Sequence, residues 1–279
     1  MKKTIVVTDT ASCLTPEQCQ LLGVELFELP LCLGEKAYQA QNSNIKKLLR
    51  VIEKQKDMFF EGQVSLNQID ELVQRLKKQG YQEIIWIHLS RGISGLGSNL
   101  AAYVKHFQDE TLQISLFDAC TMGPAQGELV KLAADLVKKG VQTTTILEDL
   151  AECRNHLKTF LVLGSLNGLK RTGSISNGVN FLSNAILKPK TLLTFTAEGQ
   201  LEVLDTHLRL KKIAECIEEY VAQNAHLPEM SILGYDEEKI EDWQSELEKV
   251  CGLKAAHASL MPETLAAYAG VKSILISWI

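Results

Sequence analysis

The chain has 279 residues, of which 46% are hydrophobic and 23% charged, and its formal net charge is -5 at pH 7. The acidic balance and the lack of a Lys/Arg block argue against a nucleic-acid-binding surface. No apolar run approaches the ~20 residues that a membrane-spanning helix requires. The length favours a globular protein of two domains.

The cysteines and the N-terminus indicate the compartment. Seven cysteines are scattered without CxxC or CxC spacing. Residues 1–10 begin like a signal peptide, but their apolar stretch is short and Asp9 interrupts it. We therefore expect a cytoplasmic protein with reduced thiols. Six histidines lie far apart, and no His/carboxylate group has the spacing of metal ligands, so we expect no metal and no cofactor.

The first half alternates apolar runs with helical patterns. Strands are predicted at residues 4–9, 83–89 and 112–118, and helices at 16–23, 43–56, 65–80 and 124–140. Strands separated by helices predict an α/β structure with a parallel sheet. Ligands of such sheets bind beyond the carboxyl ends of the strands, so Asp9, residues 90–98 and Asp118 are expected near one another.

The sequence of the second half predicts an α+β domain. A strand is predicted at 159–166, and a hairpin within 190–209 turns at Glu198 and Gly199. A helix at 210–222 follows, and then come apolar and helical segments at 230–236, 241–252, 253–259 and 271–279. We expect an N-terminal α/β domain over 1–155 and a smaller α+β domain over 156–279.

Residues 90–99, "SRGISGLGSN", connect the predicted strand at 83–89 to residues 100–107, which have helical spacing. The glycines form G-x-x-G-x-G, which is neither a dinucleotide fingerprint nor a Walker loop. Ser94 also lacks the G-x-S-x-G frame of a hydrolase elbow. Backbone N–H groups at the start of a helix still favour an anionic group. This stretch alone does not decide between two interpretations, an anion-binding site and an ordinary helix N-terminus.

Seven stretches, in chain order, resemble motifs of the DegV family, whose best-understood members are bacterial fatty-acid-binding proteins. They are VVTDTASCL (6–14) for TDSTADL, EGQVS (61–65) for TSQPS, LSRGISGLGSN (89–99) for SSGLSGTYQSA, LNGLKRTGSIS (166–176) for LEYLKKGGRIS, AILKPKTLL (185–193) for LLNIKPIL, HLRLKK (207–212) for RTRKKA, and AAHAS (255–259) for THTGPGA.

The resemblance implies a carrier protein without catalysis of its own. A fatty acid would lie between the two domains with its tail buried, and its carboxylate would be presented to a separate kinase that uses ATP. The resemblance places Ser94 and His257 at the head group, and Gly95 would offer a backbone N–H. Ser90, Glu61 and Gly62 would complete the ligand site. Arg209 and Lys212 match basic positions that face the kinase.

The EGQVS stretch departs from the family motif, since Glu61 replaces a threonine and Gly62 a serine. An ionised Glu61 would repel a fatty-acid carboxylate unless it is protonated or turned away. A second hypothesis is therefore a diverged family member that binds another small amphiphile, with Glu61 pairing a cationic or hydroxylated head group. A third is an acyl hydrolase or transferase with Ser94, or Cys120, as nucleophile.

Overall fold

The computed structural model describes residues 2–38, 47–48, 50–51, 59–107, 109–163, 191–205, 209–222, 229–252, 254–270 and 272–279. The strands of this part are β1 (Thr4–Asp9), β2 (Val24–Phe27), β3 (Leu31–Leu33), β4 (Lys36–Tyr38), β5 (Phe59–Glu61), β6 (Glu83–His88), β7 (Gln113–Asp118), β8 (Lys158–Leu163), β9 (Thr191–Phe195), β10 (Leu201–Asp205), β11 (Met230–Gly234), β12 (His257–Leu260) and β13 (Ile274–Trp278).

The helices of the same part are α1 (Pro16–Leu22), α2 (Leu66–Lys78), α3 (Leu96–His106), α4 (Pro124–Lys138), α5 (Thr143–His156), α6 (Leu210–Ala222), α7 (Glu237–Cys251) and α8 (Glu263–Ala269). A short 3-10 turn, Thr10–Ser12, follows β1.

The first half contains a parallel four-stranded sheet. Its strand order is β2-β1-β6-β7, and every neighbouring pair is parallel. A separate antiparallel sheet, β4-β3-β5, carries Glu61 at the end of β5. The predicted α/β fold class is confirmed, and the parallel sheet explains why the loops after β1, β6 and β7 meet at one edge.

The second half contains a mixed six-stranded sheet in the order β10-β9-β8-β13-β11-β12. Its pairs are antiparallel except for β11 with β12. The predicted hairpin is confirmed as β9 and β10, with Gly199 at φ +79° in its turn. The change from the parallel to the mixed sheet falls between β7 and β8, while the domain boundary at 155/156 stays a prediction.

Capping residues define several helices as expected. Ser65 and Gln68 form the capping box of α2, and Ile69, Leu72, Val73 and Leu76 are its buried stripe. Thr15 caps α1, which ends at Gly23 in the left-handed conformation. Strands β2 to β5 and helices α5 and α8 were not predicted. Of the predicted helix 43–56, only residues 47–48 and 50–51 are described.

One apolar core joins the two halves beside the loop that follows β6. Its buried members include Leu89 and Leu96 from the first half and Leu193, Met261 and Leu265 from the second. All seven cysteines are free thiols. In the described part of the chain, no helix is both long enough and apolar enough to span a membrane.

Candidate functional site

Asp9 lies at the carboxyl end of β1 and holds the edge of the parallel sheet together. Its buried carboxylate accepts hydrogen bonds from the Leu89 and Ala11 amides, at 2.8 and 3.0 Å, and from the Gln126 side chain at 3.2 Å. Burial raises the pKa of Asp9, and the three donors oppose that rise. Asp9 therefore positions the loop after β6, which begins at Leu89.

Ser90 connects this loop to the second half of the chain. Its hydroxyl donates to the Gly199 carbonyl at 2.7 Å and accepts from the Gly92 amide at 3.1 Å. Its backbone amide donates to the Thr121 carbonyl at 2.9 Å. The tip of the β9–β10 hairpin is thus seated on the loop, and the Ser90 side chain serves this junction. A ligand-binding role for Ser90 stays a prediction.

Ser94 stands at the start of α3 and is 6% exposed. Its hydroxyl accepts from the Leu96 amide at 3.1 Å, and its own amide donates to the Ser90 carbonyl at 3.2 Å. Gly95 is the exposed residue that precedes α3. Further along α3, the Asn99 side-chain amide donates to the Val64 carbonyl at 2.8 Å, which fixes the EGQVS segment against this helix.

The Ser94 hydroxyl donates a hydrogen bond to Glu61 Oε1 at 2.8 Å. Two residues that the sequence placed at one site are therefore in direct contact. Burial raises the pKa of Glu61 to about 7, although the hydrogen bond from Ser94 and the nearby Tyr268 hydroxyl act in the opposite direction. The negative charge of Asp9 raises the pKa of Glu61 further. Near neutral pH this carboxyl group can exist in either protonation state.

Tyr268 of α8 completes the cluster and was not anticipated from the sequence. It is 2% exposed, and its hydroxyl, beside Glu61 and Ser94, satisfies hydrogen-bond geometry with no group in the described residues. Burial and the neighbouring Glu61 raise its pKa well above the usual value, so the hydroxyl keeps its proton. A Pro followed by "ETLAAYA" was the available signal, since it is typical of a helix start.

Gly62 follows Glu61 in a crowded turn. Its amide donates to the Pro30 carbonyl at 2.7 Å, and a Cβ at this position would lie 3.0 Å from Cys32 Sγ. The glycine that replaces the family serine therefore allows close packing of β5 against the preceding segment. A ligand contact of Gly62 stays a prediction.

His257 lies at the beginning of β12, and its side chain is exposed. Ser259 Oγ lies 3.2 Å from its Nε2 atom, and no contact in the described residues joins it to Ser94 or Glu61. In the pairing with β11, His257 is opposite Ser231, whereas Leu260 is opposite Gly234 at the end that continues into α8. Its head-group role stays a prediction.

His88 is not positioned as a general base for either candidate nucleophile, Ser94 or Cys120. Within the described residues, no hydrogen bond joins the His88 ring to either side chain. Cys120 has φ +52°, and burial raises the pKa of its thiol, which disfavours the reactive thiolate. The His88 ring is buried, with Nδ1 2.7 Å from the Leu89 carbonyl oxygen, and lies under Gly97. No group of three or more potential metal ligands occurs within the described residues.

Arg209 and Lys212 lie at the start of α6, far along the chain from the loop that follows β6. Both side chains are exposed, and Lys212 Nζ is 3.5 Å from Glu215 Oε2. Solvent exposure leaves both cations accessible to a partner surface, and kinase contact stays a prediction.

With this geometry in place, the comparison with known proteins is decisive. A model of uncharacterised proteins of the DegV family matches residues 3–279. The chain belongs to the DegV family. A DegV domain-containing protein of Halalkalibacterium halodurans is 28% identical over 226 residues, which are 81% of this chain and 78% of the relative. One of Staphylococcus aureus is 27% identical over 251 residues, 90% of this chain and 88% of the relative.

Solved structures confirm the DegV fold. The fatty-acid-binding DegV protein of Bacillus subtilis has a TM-score of 0.82 at 23% identity, with 100% of this chain and 99% of that chain covered. A fatty-acid-binding DegV family protein of Streptococcus agalactiae has a TM-score of 0.85 at 24% identity, with coverages of 99% and 98%.

Proposed function

We propose that this DegV family protein is a lipid carrier that holds a long-chain fatty acid with its carboxyl group at Ser94. The observation that carries the proposal is the 2.8 Å hydrogen bond from the Ser94 hydroxyl to a carboxyl group, that of Glu61. A hydroxyl donor at the start of an 11-residue helix is a favourable partner for a carboxylate. The Tyr268 hydroxyl beside it is a second donor that a ligand can use.

The tail would be buried where the two halves meet. Burial of each CH₂ group contributes ~0.8 kcal/mol, so the tail dominates affinity and the head group sets orientation. Leu193 of β9 and Leu265 of α8, which belong to the same buried core as Ile93 and Leu96, are suited to apolar contact. Residues 178–187, which the sequence also suggests for the tail, lie outside the described residues.

The DegV relatives supply the context for the carrier role. The similar proteins of Bacillus subtilis and Streptococcus agalactiae are fatty-acid-binding proteins, and a DegV family protein of Eubacterium eligens was crystallised with heptadecanoic acid. We extend this to presentation of the carboxyl group to a separate kinase that docks on Arg209 and Lys212. A cytoplasmic location, expected from seven free thiols, belongs to the same proposal.

Native mass spectrometry tests the proposal. Protein purified from a bacterial host is expected to carry one acyl chain per molecule, released on denaturation and identified by its mass. After removal of lipid, added dodecanoate should restore a complex of one ligand per chain, and Ser94→Ala should weaken it. A protein that is empty after purification and ignores added fatty acids at every pH would contradict the proposal.

A further inference from the structure

Glu61 accepts the hydrogen bond from the Ser94 hydroxyl that the proposed function assigns to the ligand. The Ser94 hydroxyl has one proton to donate, and that proton points to Glu61 Oε1 at 2.8 Å. A fatty acid that reaches Ser94 must therefore place its carboxyl group beside that of Glu61. Two carboxylates at such a distance cannot both remain ionised in a buried site, because like charges raise each other's pKa.

The groups that face Glu61 from the neighbouring elements do not supply a positive charge. Asp9 of β1 acts on Glu61 with a charge of the same sign. Tyr268 of α8 and Ser94 contribute neutral hydroxyls, and the residue opposite Glu61 on β3 is the apolar Leu31. The carboxyl group of Glu263 on α8 accepts from the Tyr38 hydroxyl at 2.8 Å. Within the described residues, these groups cannot neutralise a second carboxylate beside Glu61. We therefore expect a proton to reduce the negative charge of the two carboxyl groups.

The nearest cation of the loop has a partner of its own. Arg91 Nε lies 3.4 Å from Asp118 Oδ2, and the Arg91 side chain is exposed. The group of the cluster that lacks a partner is a hydrogen-bond donor and not a cation. It is the buried Tyr268 hydroxyl, which has no acceptor among the described residues. A carboxyl group placed between Glu61 and Tyr268 would accept from this hydroxyl.

We propose that Glu61 and the carboxyl group of the bound fatty acid share one proton, so that fatty-acid uptake by ionised Glu61 is coupled to uptake of a proton. This inference depends on the proposed function. The balance is simple: the Glu61 carboxylate, the fatty-acid carboxylate and one proton from solvent combine into a hydrogen-bonded pair of net charge minus one. The proton lies between the two groups, and Ser94 and Tyr268 donate to their remaining oxygens.

The coupling predicts a defined pH dependence. Between the ordinary pKa of a free carboxyl group and the pKa of free Glu61, about 7, the proton is already in place and affinity is constant. Above that pH the proton must be taken from solvent, so the affinity is expected to fall about tenfold per pH unit. In the isosteric Glu61→Gln variant, the amide donates to the fatty-acid carboxylate without titrating, and the affinity should not change with pH.

Calorimetry with lipid-free protein and dodecanoate below its micelle concentration measures both quantities. Titrations at pH 8 in two buffers of different ionisation enthalpy count the protons taken up. We expect about one proton per ligand for the natural chain and about none for Glu61→Gln. Glu35→Gln is the matched control, because Glu35 is an exposed acid beside the same small sheet and its loss should change neither quantity.

The outcomes separate the inference from the proposed function. Proton-free binding by the natural chain, or the same pH dependence in Glu61→Gln, would overturn the shared proton while leaving fatty-acid binding in place. Binding by Glu61→Gln but never by the natural chain would also overturn it, since Glu61 would then exclude fatty acids. Failure of all variants to bind dodecanoate from pH 6 to 9 would refute the proposed function itself.

Discussion

At the residue scale, both proposals depend on the hydrogen-bonded pair of Glu61 and Ser94. A carboxyl group that loses solvent and gains an acidic neighbour holds its proton to higher pH. Ser94 and Tyr268 oppose this effect without cancelling it, since the pKa of Glu61 still rises to about 7. The natural chain therefore carries a partly buried acid whose charge changes near neutral pH.

Folding stability should report this titration even without a ligand. The pKa of Glu61 is higher in the folded than in the unfolded chain, so its protonated form stabilises the fold below about pH 4.5, and this contribution is lost as the pH rises to about 7. We compare the free energy of unfolding of Glu61→Gln with that of the natural chain at each pH. The difference in favour of the variant should increase by roughly 1–3 kcal/mol from pH 4.5 to pH 8. Urea denaturation at both pH values measures the gain.

The exposed Glu35→Gln change provides the reference for that measurement. Its difference from the natural chain should stay the same at both pH values, because Glu35 is in water. A stability difference for Glu61→Gln that does not grow with pH would contradict the burial of an ionisable Glu61.

Individual site residues were predictable to different degrees. The contact between Ser94 and Glu61 follows from two motifs whose order along the chain resembles the DegV family. Tyr268 was missed because "ETLAAYA" has no polar face, and every residue of α8 is buried. A helix that is buried on all sides gives no periodic signal of which side chain reaches the site.

At the element scale, regular helices and long strands were well predicted, and short segments were not. Helix α2 has a capping box and an apolar stripe that local chemistry determines. Strands β3, β4 and β5 have three residues each, too few to show alternation. Helix α5 begins with three threonines and lacks a side-chain cap, so the usual start signal is missing.

The junction between the loop after β6 and the β9–β10 hairpin is the element contact that bears most directly on the site. A Cβ at Gly92 would lie 2.1 Å from the Gly199 carbonyl oxygen, which is a backbone atom with little room to move. Gly92→Ala should therefore destabilise the protein by about 1–3 kcal/mol through overpacking. Thermal or urea unfolding measures the loss.

Gly95→Ala is the matched control for Gly92→Ala. The same loop offers open space there, since no atom lies within 4 Å of a Cβ at Gly95. The stability of Gly95→Ala should equal that of the natural chain. Equal unfolding midpoints for the two variants would show that the hairpin does not press on this loop.

At the scale of the whole molecule, the cluster of Asp9, Glu61, Ser94 and Tyr268 draws on both halves of the chain, since Asp9 ends a strand of the parallel sheet and Tyr268 lies on α8, between β12 and β13 of the mixed sheet. The predicted alternation of helices with strands at 4–9, 83–89 and 112–118 indicated the parallel sheet, because strand–helix–strand connections favour parallel pairing. The mixed order of the second sheet could not be read from the sequence. Its pairing of distant strands, such as β8 with β13, depends on tertiary contacts rather than local patterns.

The proposed function assigns ligand binding to Ser94 and kinase docking to Arg209 and Lys212, so we expect the two activities to be separable. The double variant Arg209→Glu/Lys212→Glu should bind dodecanoate like the natural chain but should not support phosphorylation of the fatty acid by a kinase subunit. Lys105→Glu/Lys139→Glu, which reverses two exposed lysines of the first half, should retain both activities. Loss of binding and phosphorylation together in the first variant would contradict this division.

The central claim is that the carboxyl group of a fatty acid binds at Ser94 beside Glu61. Carbon-13 NMR of dodecanoate labelled at its carboxyl carbon observes that group directly. For binding at this site we expect a separate resonance of the bound carboxyl group, with a chemical shift that changes in Ser94→Ala and again in Glu61→Gln. The absence of a bound resonance, or a bound resonance with the same shift in all three proteins, would contradict it.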